Sequence, residues 1–392
     1  MNVAKGYGKD SAADGLRGAA AIAVVFCHFF IAFFPLGFVK IYPGSATDNA
    51  KESIITDILS TPLISFLWNG TLAVSIFFVL SGYVLIKAFN ETGNVNILKA
   101  RAAKRLFRFF LPVFFSVMLS WLVLELGIGY WKEASNISGS WWLNHFWSFD
   151  PSFESAIKEG VYGAIFNGRS LYTPPLWTMK IELVGSFIVF SYSALKLKGV
   201  PEMILLFVVS LLLISYANRE AVYYIAFIVG AYISKVKFKP GGIMGLALLV
   251  CSVYFGGYDS SRLYSWIRYI LGNGITTGQT CSVIAGWIVV FLVSKGYFGR
   301  VLNSKIFQLF GRLSFSIYLT HFPIILSLSS FIYVLSDSMN IGISGIAANL
   351  AITLVVVFFV SYVFMKLFDE TSSKIANSLI KNKEKKSPGD GA

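Results

Sequence analysis

Gly18-Ala-Ala-Ala-Ile-Ala-Val-Val-Phe-Cys-His-Phe-Phe-Ile-Ala-Phe-Phe-Pro-Leu-Gly-Phe38 contains no Asp, Glu, Lys or Arg. A helix crosses a ~30 Å hydrocarbon layer with roughly 17–25 such residues, so this stretch reads as a complete span. Nine further apolar runs follow, near Leu63–Ile86, Phe109–Leu126, Pro175–Leu195, Met203–Ala217, Ala221–Ser234, Ile243–Gly257, Thr276–Ser294, Leu313–Leu335 and Gly342–Leu367. The 392 residues are 56% hydrophobic and 14% charged, with a mean hydropathy of +0.67. A soluble domain is about 45–50% apolar and about 25% charged. That contrast excludes disorder, a coiled coil and collagen and argues against a cytosolic enzyme, and the long unalternating runs argue against a β-barrel. The expected fold is all-α, a polytopic transmembrane bundle of about ten spans.

Charge orients the bundle. With the N-terminus inside, alternate assignment of the loops leaves only nine basic residues outside: Lys40, Lys51, Lys132, Lys158, Arg169, Lys180, Arg219, Arg262 and Arg268. The positive-inside rule then places both termini in the cytoplasm. The net charge of +13 sits between apolar segments rather than along one soluble face, so no nucleic-acid partner is expected. The first run continues past any small-residue cleavage site, so it reads as a span and not as a cleavable signal. Residues 1–380 form one transmembrane domain, and 381–392 a basic, disordered cytoplasmic tail lying against anionic lipid. No further soluble domain follows the last span. No internal repeat is visible, which argues against a transporter built from inverted halves. Cys27, Cys251 and Cys281 stand apart inside apolar runs, as small core residues rather than a disulfide framework or a metal cluster. The longest outside loop, 127–174, carries Trp131, Trp141, Trp142 and Trp147; they form either an interfacial aromatic belt or a glycan-facing surface.

Ionisable groups inside a bilayer need a reason to be there. Arg17 and His28 are eleven residues apart, within roughly 20° of three full helical turns, so both face one side of the first helix, ~16 Å apart along it. If Arg17 marks the cytoplasmic boundary, His28 lies near mid-depth. His321, ~13 Å beyond Arg312, and Glu182, ~11 Å below the outside start at Pro175, fall within several ångströms of the same depth. Spacing alone leaves open whether they face one another. Arg105 and Arg108, three residues apart, are neighbours on one helical face, either anchoring topology or forking onto a phosphate.

These residues resemble a known family. Asp14-Gly-Leu-Arg-Gly-Ala-Ala-Ala-Ile-Ala-Val-Val-Phe-Cys-His28 is similar to the opening helix of the acyltransferase family 3 membrane proteins, which pair an arginine with a histidine eleven positions later. Phe77-Phe-Val-Leu-Ser-Gly-Tyr83 resembles their second-helix motif, and Arg105-Leu-Phe-Arg108 followed by Pro112 their Arg-x-x-Arg signature. Leu176-Trp-Thr-Met-Lys-Ile-Glu182 resembles their Leu-Trp-Ser-Leu-x-x-Glu-Glu segment, with Leu183 replacing the second glutamate. Leu313-Ser-Phe-Ser-Ile-Tyr-Leu-Thr-His-Phe-Pro323 resembles their late Ser-Tyr-x-x-Tyr-Leu-x-His motif, with Thr320 where tryptophan is common. Five motifs in order, from Asp14 to Pro323, cover most of the chain.

The resemblance implies a membrane-bound acyltransferase, most similar to stand-alone members that modify O-antigen, exopolysaccharide or lipo-oligosaccharide at the bacterial inner membrane. It implies an acyl-CoA donor such as acetyl-CoA, a carbohydrate or lipid-linked acceptor, and neither a further cofactor nor a metal. A neutral imidazole suits removal of a sugar hydroxyl proton, so His28 is expected to act as base, with Glu182 orienting it or stabilising charge; an acyl-His28 relay is the second mechanism. Arg17, Arg105 and Arg108 are expected to hold CoA phosphates. Ser81, Trp177, Ser314, Tyr318 and His321 are expected to line the substrate site, for pantetheine or for glycan. The competing expectations are a carrier of acyl groups or lipid-linked glycans without chemistry, and a non-catalytic scaffold for polysaccharide assembly.

Overall fold

The computed structural model describes residues 10–386, with side chains to residue 378. It is 79% helical, and its described residues contain no strand, only an isolated bridge between Ala46 and Ser140. In chain order the principal helices are α1 (Ser11–Phe33), α2 (Gly70–Thr92), α3 (Val95–Glu125), α4 (Trp131–Ser138), α5 (Trp141–His145) and α6 (Phe153–Lys158). They continue with α7 (Trp177–Ala194), α8 (Val200–Tyr216), α9 (Ala221–Ile233), α10 (Gly242–Gly256) and α11 (Ile275–Ser294), then α12 (Lys305–Ser338) and α13 (Ile343–Ser378).

All ten expected segments fall on helices. Six of these (α1, α2, α3, α11, α12 and α13) are long and apolar enough to cross a membrane. The other four have 18, 17, 13 and 15 residues (α7 to α10). Lys180 and Glu182 also lower the hydropathy of α7.

Several boundaries differ from those expected, each for a local reason. Asp10 caps α1 by accepting the Ala13 amide at 3.1 Å, and Pro35 opens a separate 3₁₀ turn, so this helix begins and ends earlier than the apolar run. α2 starts at Gly70, not Leu63, because Asn69 accepts the amides of Thr71 (3.0 Å) and Leu72 (3.3 Å). α3 starts fourteen residues before Phe109. Leu98, Phe109, Val113 and Val117 are all buried, and their spacing maintains one apolar face on which the basic cluster rides. Lys99, Arg101, Lys104, Arg105 and Arg108 are therefore helical, not loop, residues. Segment 127–174 is largely helical too, through α4, α5, α6 and a π-helical stretch, Glu159–Asn167. The final helix continues to Lys386. The rest of the expected tail, 387–392, lies outside the described residues, as do Lys5 and Lys9. Cys27 and Cys281 are buried free thiols, whereas Cys251 is exposed.

The chain forms two compact units. The first comprises the start of α1, residues 58–98 and 184–314. Here α1 meets α12 backbone to backbone: a Cβ at Gly18 would lie 2.4 Å from the Gly311 amide nitrogen. Small residues at such crossings let membrane helices pack closely. In this unit Asp10 accepts from Tyr83 (2.9 Å) and Lys87 (2.7 Å), and Lys235 pairs with Glu202. The second unit comprises residues 28–57, 99–183 and the described residues from 315 onward. It contains the end of α1, most of α3, α4 to α6, the start of α7, the later part of α12, and α13.

Candidate active site

The last carbonyls of a helix have no partner within it. At the end of α1 two serines supply partners: Ser138 donates to Ala32 O (3.0 Å) and Ser140 to Ile31 O (2.9 Å). The Ser140 hydroxyl also accepts the Leu143 amide at 3.1 Å, so the same side chain N-caps α5. Gly139 makes the turn between these serines at φ +69°, and a Cβ there would lie 2.4 Å from Ala50 Cα. The Trp142 amide donates to Ser45 O at 3.3 Å. These contacts hold the Trp142 ring over the last turns of α1, 5.2 Å from the ring of His28. His28 is five residues from Phe33, ~8 Å from the helix end. It therefore lies nearer the Phe33 end of α1, which runs from Ser11 to Phe33.

The second histidine lies just before a break in α12. Pro323 has no amide hydrogen, which orphans the carbonyl four residues earlier, at Leu319. Ser116 on α3 donates to that oxygen at 2.7 Å. A π-helical stretch, Ile325–Ser329, follows, and its Leu326 carbonyl accepts the Tyr130 amide at the head of α4 (3.2 Å). Such stretches often mark functional sites.

His28 Nδ1 lies 2.8 Å from His321 Nε2, and His321 Nδ1 lies 2.9 Å from the Ile317 carbonyl oxygen. A carbonyl only accepts, so His321 Nδ1 carries hydrogen. With both rings neutral, His321 Nε2 is then an acceptor, His28 Nδ1–H donates to it, and the lone pair of His28 Nε2 remains for chemistry. Ring centroids 5.0 Å apart at 15°, with nitrogens at hydrogen-bond distance, describe rings edge to edge in nearly one plane. Phe322 meets His28 edge-on at 6.0 Å. His321 is fully buried; His28 is half-buried.

Of the three groups expected at one depth, the two imidazoles meet. The partner expected for His28, Glu182, instead forms an ion pair with Arg105. Arg105 is thereby enclosed, with its guanidinium 4.6 Å from the Phe109 ring, whereas Arg108, three residues on, is exposed. The pair therefore does not form one exposed fork: carboxylate and aromatic ring hold the first arginine. In the first unit Arg17 bonds Asp14 at 2.9 Å, half-buried Ser81 lies on α2, and the Ser314 hydroxyl turns back to Gly311 O (2.8 Å). In the second unit half-buried Trp177 opens α7. Tyr318 donates to Pro175 O (2.8 Å) and meets the Thr178 hydroxyl at 3.0 Å. The hydroxyls of Ser314 and Tyr318 thus serve the fold, and His321 binds the other histidine. Sequence reasoning missed Ser116, Ser140, the Ile317 carbonyl and the contact of Trp142 with His28. Only Pro323 signalled one of these, as a proline two residues beyond a histidine implies an orphaned carbonyl beside it.

Outside the spans, Glu159 is buried and accepts the amides of Leu171 (3.0 Å) and Tyr172 (2.9 Å). Burial raises its carboxyl above the usual range, against the pull of those amides and of Arg169. Tyr172 O in turn accepts Trp147 Nε1 at 2.8 Å, and Trp147 packs edge-on to Phe322 at 6.2 Å.

Apolar helices of membrane-crossing length and an imidazole pair with one free lone pair define a multi-pass membrane protein with a candidate base. The family profile described as acyltransferase domain, the third acyltransferase family, matches residues 10–366. The chain belongs to that family and is a membrane acyltransferase. No curated protein and no solved structure matches it.

Proposed function

We propose that the protein transfers an acyl group, acetyl first among them, from an acyl-CoA to a carbohydrate hydroxyl of a surface glycan, with His28 as general base and His321 as the residue that orients it. The observation that carries this reading is the chain from Ile317 O through His321 to His28 Nδ1. Fixing the tautomer of a catalytic imidazole through its second nitrogen is how an enzyme presents the first. His28 Nε2 takes the hydroxyl proton as the sugar oxygen attacks the thioester carbonyl. The tetrahedral intermediate collapses, the carbon–sulfur bond breaks, and the imidazolium returns the proton to the CoA thiolate. Ester and free CoA thiol result, with His28 neutral again. Arg108 is assigned to donor phosphate, and Arg17 retains the donor role that the resemblance implies. Arg105 and Glu182 act together as an ion pair that fixes α3 against α7.

In the same reading the chain spans a bacterial inner membrane ten times, with both termini cytoplasmic. Support comes from the ten apolar segments and from basic residues concentrated in alternate loops. The test is purified protein with acetyl-CoA and a glycan acceptor, following free CoA thiol. Acceptor-dependent release should fall by about 100-fold or more in His28→Ala, the scale of a positioned base. Equal release from both proteins removes His28 from the mechanism. Movement of labelled glycan into vesicles without thiol release identifies a carrier instead.

A further inference from the structure

We infer that the ring of Trp142 forms a platform, with Phe146 as its side wall, on which a pyranose ring of the acceptor lies while one of its hydroxyls meets His28. This rests on the acyl-transfer reading and names the part of the substrate that the site takes. Around the imidazole pair, His321 and Phe322 are 0% exposed and Trp147 is 3% exposed, whereas His28, Trp142 and Phe146 retain accessible surface. Of the aromatic rings against His28, Trp142 thus keeps accessible surface, and Phe146 meets it edge to face at 4.9 Å. A pyranose offers one face of C–H bonds and a rim of hydroxyls. The aromatic face carries the negative end of the ring quadrupole and attracts the positively polarised C–H face, leaving the rim for the imidazole.

Position along α1 separates acceptor from donor. Arg17 lies near one end of that helix and His28 near the other, ~16 Å away. The polyanionic part of CoA is drawn toward cations, so the ring-lined end falls to the uncharged acceptor. The platform is also built in advance: the Ser140 cap and the Ser45 carbonyl fix α5 before any ligand arrives, which lowers the cost of binding. On the same short helix Trp141 is 49% exposed and stacks on His145 at 4.7 Å, a second flat surface suited to the next sugar of an oligosaccharide.

The test is saturation-transfer difference NMR on the detergent-purified full chain with methyl α-D-gluco-, galacto- and mannopyranosides, and with sorbitol as an acyclic control. Ring C–H protons of at least one pyranoside should take up saturation from the wild type, and sorbitol should not. The signal should fall about fivefold in Trp142→Leu, the scale of one lost aromatic contact, and largely persist in Trp142→Phe. If Trp142→Leu does not fold, Phe146→Leu must lower the signal at least about twofold on the same grounds. Absence of any pyranoside signal from wild type, an equal signal from the leucine variants, or a change in donor acyl-chain selectivity instead overturns the platform. The acyl-transfer reading fails separately, through absence of acceptor-dependent thiol release from the wild type while the pyranoside signal stands.

Discussion

His28 and His321 bring two imidazoles within 2.8 Å with a main-chain carbonyl behind them, whereas Arg105 and Glu182, in the same unit, bring a full cation and a full anion together. Both clusters lie among apolar helices, where polar groups are costly unless paired. The histidine pair has accessible surface on one ring and a lone pair that no group among the described residues claims. Taking up a proton there leaves no opposite charge stranded. The ion pair is closed: side-chain exposures of 10% and 13% leave little room for a ligand, and removing either charge takes the ion-pair partner from the other. An imidazole chain that can cycle through protonation is suited to chemistry, and an enclosed ion pair is suited to holding helices together.

The largest test of that contrast is to break the ion pair. Arg105→Ala should lower the stability of detergent-purified protein by about 3–5 kcal/mol, the usual cost of breaking a buried ion pair from one side, read as a lower thermal midpoint. The double variant Arg105→Met with Glu182→Leu should recover most of that loss, because an apolar pair of similar volume is often neutral. A stable Arg105→Ala protein lacking only thiol release would reverse the assignment and make the ion pair part of the chemistry.

Next in size is the effect of the second imidazole. His321→Leu removes the acceptor that fixes the His28 tautomer, and kcat for acceptor-dependent thiol release should fall about 100-fold. His321→Gln keeps an oxygen able to accept from His28 Nδ1–H and should stay within about tenfold of wild type, since a replacement acceptor restores one hydrogen bond of about 1 kcal/mol. Equal losses in both variants would show that volume at position 321, not hydrogen bonding, is what matters.

A smaller effect is expected one step out. Ser116→Ala leaves the buried Leu319 carbonyl without the donor that Pro323 cannot supply. An unsatisfied buried acceptor costs about 1–3 kcal/mol, and Ser116→Thr, which keeps the hydroxyl, should restore the midpoint. If alanine and threonine behave alike, the break in α12 is held by its π-helical stretch alone, and the setting of His321 does not depend on α3.

Much of this was legible in the residues, and the limit has a physical origin. Period and length gave helical spans because a bilayer forces backbone groups to pair within the segment. The eleven-residue spacing of Arg17 and His28 and the motif around His321 gave both histidines. Helix spacing does not report which helices face each other, so the meeting of His28 with His321 and the pairing of Glu182 with Arg105 were not readable. Trp142 was legible only as one tryptophan among four in an outside loop. Its place over His28 depends on Ser138 and Ser140 capping α1 from more than a hundred residues away in the chain. Side-chain caps between distant segments leave no periodic trace. The same holds for Ser116, whose only mark in the sequence is the proline that it serves.

The smallest test concerns a carboxyl outside both clusters. Glu159 is 1% exposed and holds the Leu171 and Tyr172 amides, behind which Trp147 packs edge-on to Phe322. Burial disfavours its charge, while the two amides and Arg169 favour it; burial prevails, and the carboxyl titrates above its ordinary range. The folded protein therefore binds this proton more tightly than the unfolded chain does. The corresponding stability is fully present below the ordinary carboxylate range and is lost as pH rises through the raised folded value. Thermal midpoints should decline across that window, and Glu159→Gln, which does not titrate, should flatten the decline while sacrificing part of the two-amide grip. A steeper decline in the glutamine variant would mean that the amides and Arg169 outweigh burial. The segment under Trp147 would then be held by a charge, like the helices joined by Arg105 and Glu182, and not by neutral hydrogen bonds, like the histidines.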